Sequence, residues 1–145
     1  MHKPVDRYYK LFIDGTWVDS KGGKTFDTYC PANGELLATC ADAGKEDVDL
    51  AVGSAWKAFD SWKNTSPVER STILLKIADL IDANAEKLAM VETIDNGKPV
   101  RETMFVDVPL ASDHFRYFAG VIRADEGSAV MIDKDHMSII LSEPI

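Results

Sequence analysis

Two thiols, three imidazoles and one awkwardly placed carboxylate are the side chains that invite a chemical reading first. A thiol attacks as its thiolate, so a nucleophilic cysteine needs a neighbouring base, a cation or a helix N-terminus. Neither Cys30 nor Cys40 has such a neighbour evident in the sequence. Both read instead as small buried hydrophobes. Two cysteines fit a reducing cytoplasm better than a disulfide scaffold, with a Cys30–Cys40 bridge as the alternative. His2, His114 and His136 are scattered, and with the cysteines they show no metal-ligand spacing. No G-x-G-x-x-G and no G-x-x-x-x-G-K-[ST] occurs, and the nine glycines are spread along the chain. Read alone, the chain holds no catalytic or cofactor-binding set.

Asp95 is the carboxylate that needs an explanation. It ends a mostly apolar helical stretch beside Asn96-Gly97, where the helix dipole is negative and an anion is poorly placed. Lys98, a neighbouring amide or a bound cation would each compensate, and a turn-capping role is the plain alternative. Lys98 and Arg101 read as solvated charges past a helix end. Arg116 stands amid Phe115, Tyr117 and Phe118, ready to pair with an acid or stack on a ring. Trp17, Trp56 and Trp62 read as packing anchors.

The elements that must carry these residues are legible. Asp14-Gly15 between short apolar runs predicts a hairpin with strands near 11–13 and 16–19. Further strands are expected over 24–29 and 35–41, joined by the turn at Pro31–Glu35. The texture changes at Gly44. Glu46, Asp47 and Asp49 open a helix over about 46–62, with Val48, Val52, Ala55, Phe59 and Trp62 at helical spacing. Ser66-Pro67-Val68-Glu69 is a capping box with proline at the first helical position. The helix it opens carries Ile73, Leu74, Ile77, Ala78 and Ile81 to about residue 83. A third helix runs over 85–95, with Leu88, Met90, Val91 and Ile94 inward, and Gly97 and Pro99 stop it. Met104, Val108, Ala111, Phe115, Phe118 and Ile122 mark a helix within 100–124 that Pro109 kinks or resets. Gly127 breaks it. A hairpin comes next, Ala129–Ile132 and Met137–Leu141, whose apolar strands either pack on the chain's own helices or serve a subunit interface.

The chain has 145 residues, 46% hydrophobic and 28% charged, as suits one α/β globular unit. Sixteen basic against 24 acidic residues leave a net charge of −8, which opposes nucleic acid or an anionic membrane as partner. No apolar run approaches the ~18 residues of a membrane span. The start, Met1-His2-Lys3-Pro4-Val5-Asp6, lacks the apolar stretch of a secretory signal, so the expectation is cytoplasmic.

Three segments then share one resemblance: Leu11-Phe12-Ile13-Asp14-Gly15-Thr16-Trp17, Cys30-Pro31-Ala32-Asn33-Gly34-Glu35, and Glu92-Thr93-Ile94-Asp95-Asn96-Gly97-Lys98-Pro99. In order and spacing the chain resembles the N-terminal third of NAD(P)-dependent aldehyde dehydrogenases. Phe115–Gly120 and Ser142–Ile145 extend the likeness. The stretch Asp107–Arg116 is most similar to bacterial enzymes acting on acetaldehyde and other short aldehydes.

The resemblance implies strands and helices over residues 1–127 that flank a cofactor-binding sheet. It also implies that residues 128–145 begin an oligomerisation hairpin of a dimer or tetramer. In that family a thiolate attacks the aldehyde, hydride passes to the nicotinamide, and water hydrolyses the thioester with help from a carboxylate base. The cysteine, the base, the oxyanion asparagine and the nucleotide-binding turn all match positions beyond Ile145. Hence the resemblance gives this chain no catalytic and no cofactor-binding residue. NAD or NADP would be held elsewhere, and the chain alone is expected to be inactive. In some members an aspartate matching Asp95, with backbone oxygens at positions matching Thr28 and Tyr29, binds a structural monovalent cation. Val106 and Leu110 match a face near the aldehyde-access tunnel, against a plain role in the core. The competing readings are a stand-alone α/β interaction module, which would bind through the tail hairpin, and a truncated remnant.

Overall fold

The computed structural model describes residues 5–143. Met1–Pro4 and Pro144–Ile145 lie outside it, including His2 and the end of the Ser142–Ile145 match.

Chain order runs β1 (Tyr8–Tyr9), β2 (Leu11–Ile13), β3 (Thr16–Val18), β4 (Thr25–Tyr29), β5 (Leu36–Ala41), α1 (Lys45–Trp62), α2 (Pro67–Ala83) and α3 (Ala85–Asn96). Then come α4 (Val100–Glu102), a π-turn (Thr103–Asp107), α5 (Val108–Val121), β6 (Ser128–Met131) and β7 (Met137–Ile140). This is a mixed α/β architecture with three small sheets. The β2–β3 hairpin turns through Asp14 at φ 51° and Gly15 at φ 73°, as the Asp-Gly signal requires. The order β1-β5-β4 sets β5 between a parallel and an antiparallel neighbour. β1 has two residues, too few to show a period, and the sequence reading passes over it.

The helical layer is organised by small residues. Ser71 and Ala78 of α2 face Ala119 and Ser112 of α5, and all four are buried. Ser71 Oγ donates to the Ala119 carbonyl at 2.7 Å, and Ser112 Oγ donates to the Ala78 carbonyl at 3.4 Å. The two contacts are reciprocal, so the helices run antiparallel at close approach. Arg116 of α5 adds an exposed ion pair to Asp79 at 3.0 Å and to Asp82 at 2.6 Å on α2. Its expected partner is thus an acid rather than a ring. The nearby Ser112 hydroxyl and then the Arg116 guanidinium hold the Asp82 carboxyl below its ordinary range.

The helix boundaries follow the expectations closely, and the buried faces follow them in part: Ala78 and Val108 are buried as expected, other stripe residues are not. Ala111 and Phe118 of α5 are exposed, while Ser112 and Ala119 take the inner positions. On α1, Val48, Val52, Trp56 and Trp62 are exposed, as are Ile73 of α2 and Leu88 of α3. Trp17, Trp56 and Trp62 are therefore not packing anchors within this chain. These helices are apolar on more than one side, and a 3.6-residue period does not say which side is covered first. Cys30 is buried as expected, and Cys40 is half-buried; both are free, so the bridge alternative falls.

Asp47 joins strand to helix. It is 2% exposed and accepts from Ser20 Oγ at 3.0 Å, Lys21 N at 2.9 Å and Gly44 N at 2.9 Å. Backbone N–H bonds from Lys21 and Gly44, then the Ser20 hydroxyl, hold its carboxyl below the usual range. A depressed folded pKa gives stability that is present above the unfolded value of ~3.9 and is lost as pH falls through the folded one. Asp47→Asn is expected to lower stability at neutral pH and flatten its decline below about pH 4. Urea midpoints across an acid series check this, and parallel curves for the two proteins would refute it.

Among the described residues the β6–β7 hairpin pairs only within itself as a sheet. Asp133 caps its loop, accepting from the backbone of Asp135 at 2.8 Å and of His136 at 2.9 Å. A Cβ on Gly127 would stand 2.6 Å from the Ile140 carbonyl oxygen and 3.3 Å from Leu141 Cδ2. Gly127→Ala is expected to cost about 1–3 kcal/mol and open the hairpin at its base. Faster amide exchange at the β6–β7 pairs is the readout.

Candidate functional site

The residues singled out by sequence gather where α3 ends and the α4–π-turn–α5 helix begins. Gly97 ends α3 in the left-handed region, φ 78°, and its N–H returns to the Thr93 carbonyl at 3.0 Å. A Cβ there would lie 2.9 Å from Pro31 Cγ, so the Pro31–Glu35 turn sits directly against this helix end. That contact places β4 beside Asp95. Thr28 Oγ1 lies 3.5 Å from Asp95 Oδ1, and the β4–β5 register slips between Thr28 and Tyr29. Thr28 is half-buried, whereas Tyr29 and Asp95 are exposed. The Tyr29 hydroxyl turns away, donating to Asp27 at 3.4 Å. Thr28 and Asp95 are thus brought together, and Tyr29 follows Thr28 in the chain. Among the described residues no group of three or more His, Cys, Asp or Glu could hold a metal. One carboxylate beside hydroxyl and backbone oxygens is a donor set for a hard, weakly bound cation, not for a transition metal.

Lys98 does not neutralise Asp95. Its ammonium pairs with Asp107, at the end of the π-turn, and its N–H donates to Asn96 Oδ1 at 2.7 Å. The Asp107 hydrogen bond, more than the Coulomb attraction of nearby acids, raises the Lys98 pKa. Lys98 is therefore a structural ion-pair partner, not the solvated charge expected. Arg101 does remain exposed, paired with the adjacent Glu102 at 2.9 Å.

The π-turn lies just ahead of Pro109, where a kink or reset is expected. The Val108 N–H returns to the Thr103 carbonyl, five residues back. Val106 stands in this turn and Leu110 in the first turn of α5. They are 49% and 48% exposed, so the reading of both as core residues of this chain is wrong. Phe105 beside them is 75% exposed. All three are apolar side chains that this chain leaves open. The π-turn is the feature that sequence reasoning missed, although Pro109 is its signal.

Neither cysteine has the surroundings of a nucleophile. Cys30 is buried at the Pro31 turn, donating its N–H to the Glu35 carbonyl at 2.8 Å, and Cys40 lies within β5. No helix among the described residues is long and apolar enough to cross a membrane.

Comparison with known proteins matches residues 17–145 to the model of the aldehyde dehydrogenase family. The chain is 49% identical over 137 residues to a long-chain-aldehyde dehydrogenase of an Acinetobacter species, covering 94% of this chain and 27% of that protein. It is 46% identical over 142 residues to acetaldehyde dehydrogenase 2 of Cupriavidus necator, covering 98% of this chain and 28% of that one. Among solved structures, the apo form of an indole-3-acetaldehyde dehydrogenase superposes with a TM-score of 0.90 at 32% identity, over 97% of this chain and 33% of the other. The NAD+ complex of a Bacillus cereus aldehyde dehydrogenase gives 0.85 at 39% identity, over 90% and 27%. The chain thus spans about a quarter of the length of the curated relatives it matches. Family match, identity and superposition agree with the strand–helix order of the fold: this chain belongs to the aldehyde dehydrogenase family and corresponds to an N-terminal portion of its bacterial members.

Proposed function

We propose that these residues supply the N-terminal, non-catalytic part of an aldehyde dehydrogenase that oxidises an aldehyde to its carboxylic acid with NAD or NADP in the cytoplasm. The family match over residues 17–145 carries this reading. Residues 1–127 would belong to the cofactor-binding domain, with the dinucleotide held by the rest of the protein. When bound by the rest of the protein, the dinucleotide accepts the hydride. Residues 128–145 begin the oligomerisation hairpin of a homodimer or homotetramer. The 145-residue chain alone is expected to give no aldehyde-dependent NAD or NADP reduction. Sustained formation of reduced nicotinamide by the purified chain would refute this. Installing the chain in place of the matching segment of the Cupriavidus necator enzyme tests the positive half: the graft is expected to oxidise aldehydes, and a folded but inactive graft would count against the reading.

Val106 and Leu110 form part of the aldehyde-access wall, on the strength of their open apolar placement. A short aliphatic aldehyde is the favoured substrate. Relatives named for long-chain aldehydes and for acetaldehyde lie at 49% and 46% identity, so chain length rests on the wall residues rather than on overall likeness. Thr28, Tyr29 and Asp95 would hold a structural monovalent cation, the first two through backbone oxygens. Crystals soaked in rubidium are expected to show an anomalous peak beside Asp95, and its absence would leave Asp95 a turn-capping residue. A second reading, a stand-alone interaction module, is favoured by one observation: Val130, Met131, Met137, Ile139 and Ile140 of the β6–β7 hairpin are all exposed.

A further inference from the structure

The π-turn re-aims α5. It takes in one residue more than an α-turn, and one residue corresponds to about 100° of helix rotation. Everything after Asp107 is therefore turned by about that angle from where an unbroken helix starting at Val100 would put it. Both ends of the turn are tied to α3 or its cap. At the first residue, fully buried Thr103 donates its hydroxyl to the Val100 carbonyl at 3.1 Å, which leaves its oxygen to accept from Thr93 Oγ1 at 2.8 Å. At the last residue, Asp107 is held by Lys98. Lys98 is itself fixed by the left-handed Gly97 and the Asn96 side chain. Pro109 biases the same outcome, because it has no N–H to offer the Phe105 carbonyl in a regular helix. Between the ties stand Met104, Phe105 and Val106, and Leu110 comes one turn later.

We propose that Lys98 and Asp107, seconded by Thr93 and Thr103, are positioning residues for aldehyde selection: by clamping the π-turn they fix the angle at which Val106 and Leu110 meet the aldehyde chain. This rests on the reading of Val106 and Leu110 as the aldehyde-access wall. Asp107 and Lys98 are occupied with one another. A part-buried hydroxyl pair and a partly buried ion pair at the two ends of one turn are more than helix continuity requires, since an unbroken α-helix satisfies its own backbone. Their effect is to hold a rotation that the backbone alone would not keep.

The test has two arms. In the 145-residue chain, Asp107→Asn is expected to shift the methyl resonances of Val106 and Leu110 and to speed exchange of the Val108 amide, while Lys98→Arg leaves both near their starting values. Unchanged methyl resonances in Asp107→Asn overturn the proposal outright, whether or not the graft is active. In the graft into the Cupriavidus necator enzyme, Asp107→Asn is expected to change the kcat/KM ratio between hexanal and acetaldehyde by about 10-fold, the change falling on KM, with Lys98→Arg keeping the parent preference. An unchanged ratio in Asp107→Asn while Leu110→Ala moves it overturns the positioning role and leaves the wall reading standing. An unchanged ratio in both Leu110→Ala and Val106→Ala overturns the wall reading itself. A loss of activity that is equal for both aldehydes marks a merely structural role and also overturns the proposal.

Discussion

Gly97→Ala is expected to destabilise the chain by about 2–5 kcal/mol, from two costs that act together. The left-handed conformation at φ 78° costs a residue with a Cβ about 1–2 kcal/mol. The new methyl would stand 2.9 Å from Pro31 Cγ, and Pro31 belongs to a tight turn that cannot swing aside, which adds about 1–3 kcal/mol of overpacking. Gly97→Asn separates the two. Asparagine tolerates the left-handed region, so it relieves the first cost and keeps the second. Urea unfolding at neutral pH is the measurement. An alanine variant within about 0.5 kcal/mol of the parent would mean that the Pro31 turn is free to move. The Thr28–Asp95 approach depends on the same contact, so the variant is also expected to weaken any cation retained there.

Ala78→Leu is expected to cost about 3 kcal/mol or more, at the upper end of overpacking effects. Ala78 is fully buried at the α2–α5 crossing, and Ala119 is 1% exposed on the other side. Added branches would part the helices and lengthen both serine-to-carbonyl bonds at once. Ser71→Ala loses one of those bonds, worth about 1 kcal/mol, and leaves the spacing intact. Combining Ala78→Leu with Ser71→Ala should therefore cost less than the sum, because the first change has already stretched what the second removes. Strict additivity in the denaturation midpoints would show that the two reciprocal contacts are independent.

Most of the architecture was readable because its signals are local. Asp14-Gly15 demands positive φ at both positions, Ser66–Glu69 closes a capping box with its own backbone, and Gly97 takes the left-handed end of α3. The buried faces were harder. On α5, Ala111 and Phe118 are as apolar as their neighbours but stay exposed, and the inner positions fall to Ser112 and Ala119. Close helix approach selects small residues, and a hydropathy pattern gives those residues little weight. Asp47 reads as a dipole-complementing surface acid, yet it is buried, because its three donors come from Ser20, Lys21 and Gly44 and the first two are distant in sequence. For the site itself, the Thr28, Tyr29 and Asp95 grouping and the open Val106 and Leu110 came from likeness to a family, not from spacing. Lys98 was misassigned because its partner sits nine residues on, beyond a turn type that no local motif announces.

The parallel pairing of Tyr8–Tyr9 with Thr39–Cys40 has a consequence for how the chain assembles. Among the described residues β1 has no sheet neighbour until the β4–β5 ribbon exists, so it joins an edge already made. Bringing its ends together closes about 30 residues of chain, a modest entropic toll that grows only with the logarithm of loop length. The antiparallel β4–β5 pair spans a short turn and can zip first. The two-residue β1 is therefore expected to dock after the β4–β5 pair has formed, so that a contact close in space is made late in time.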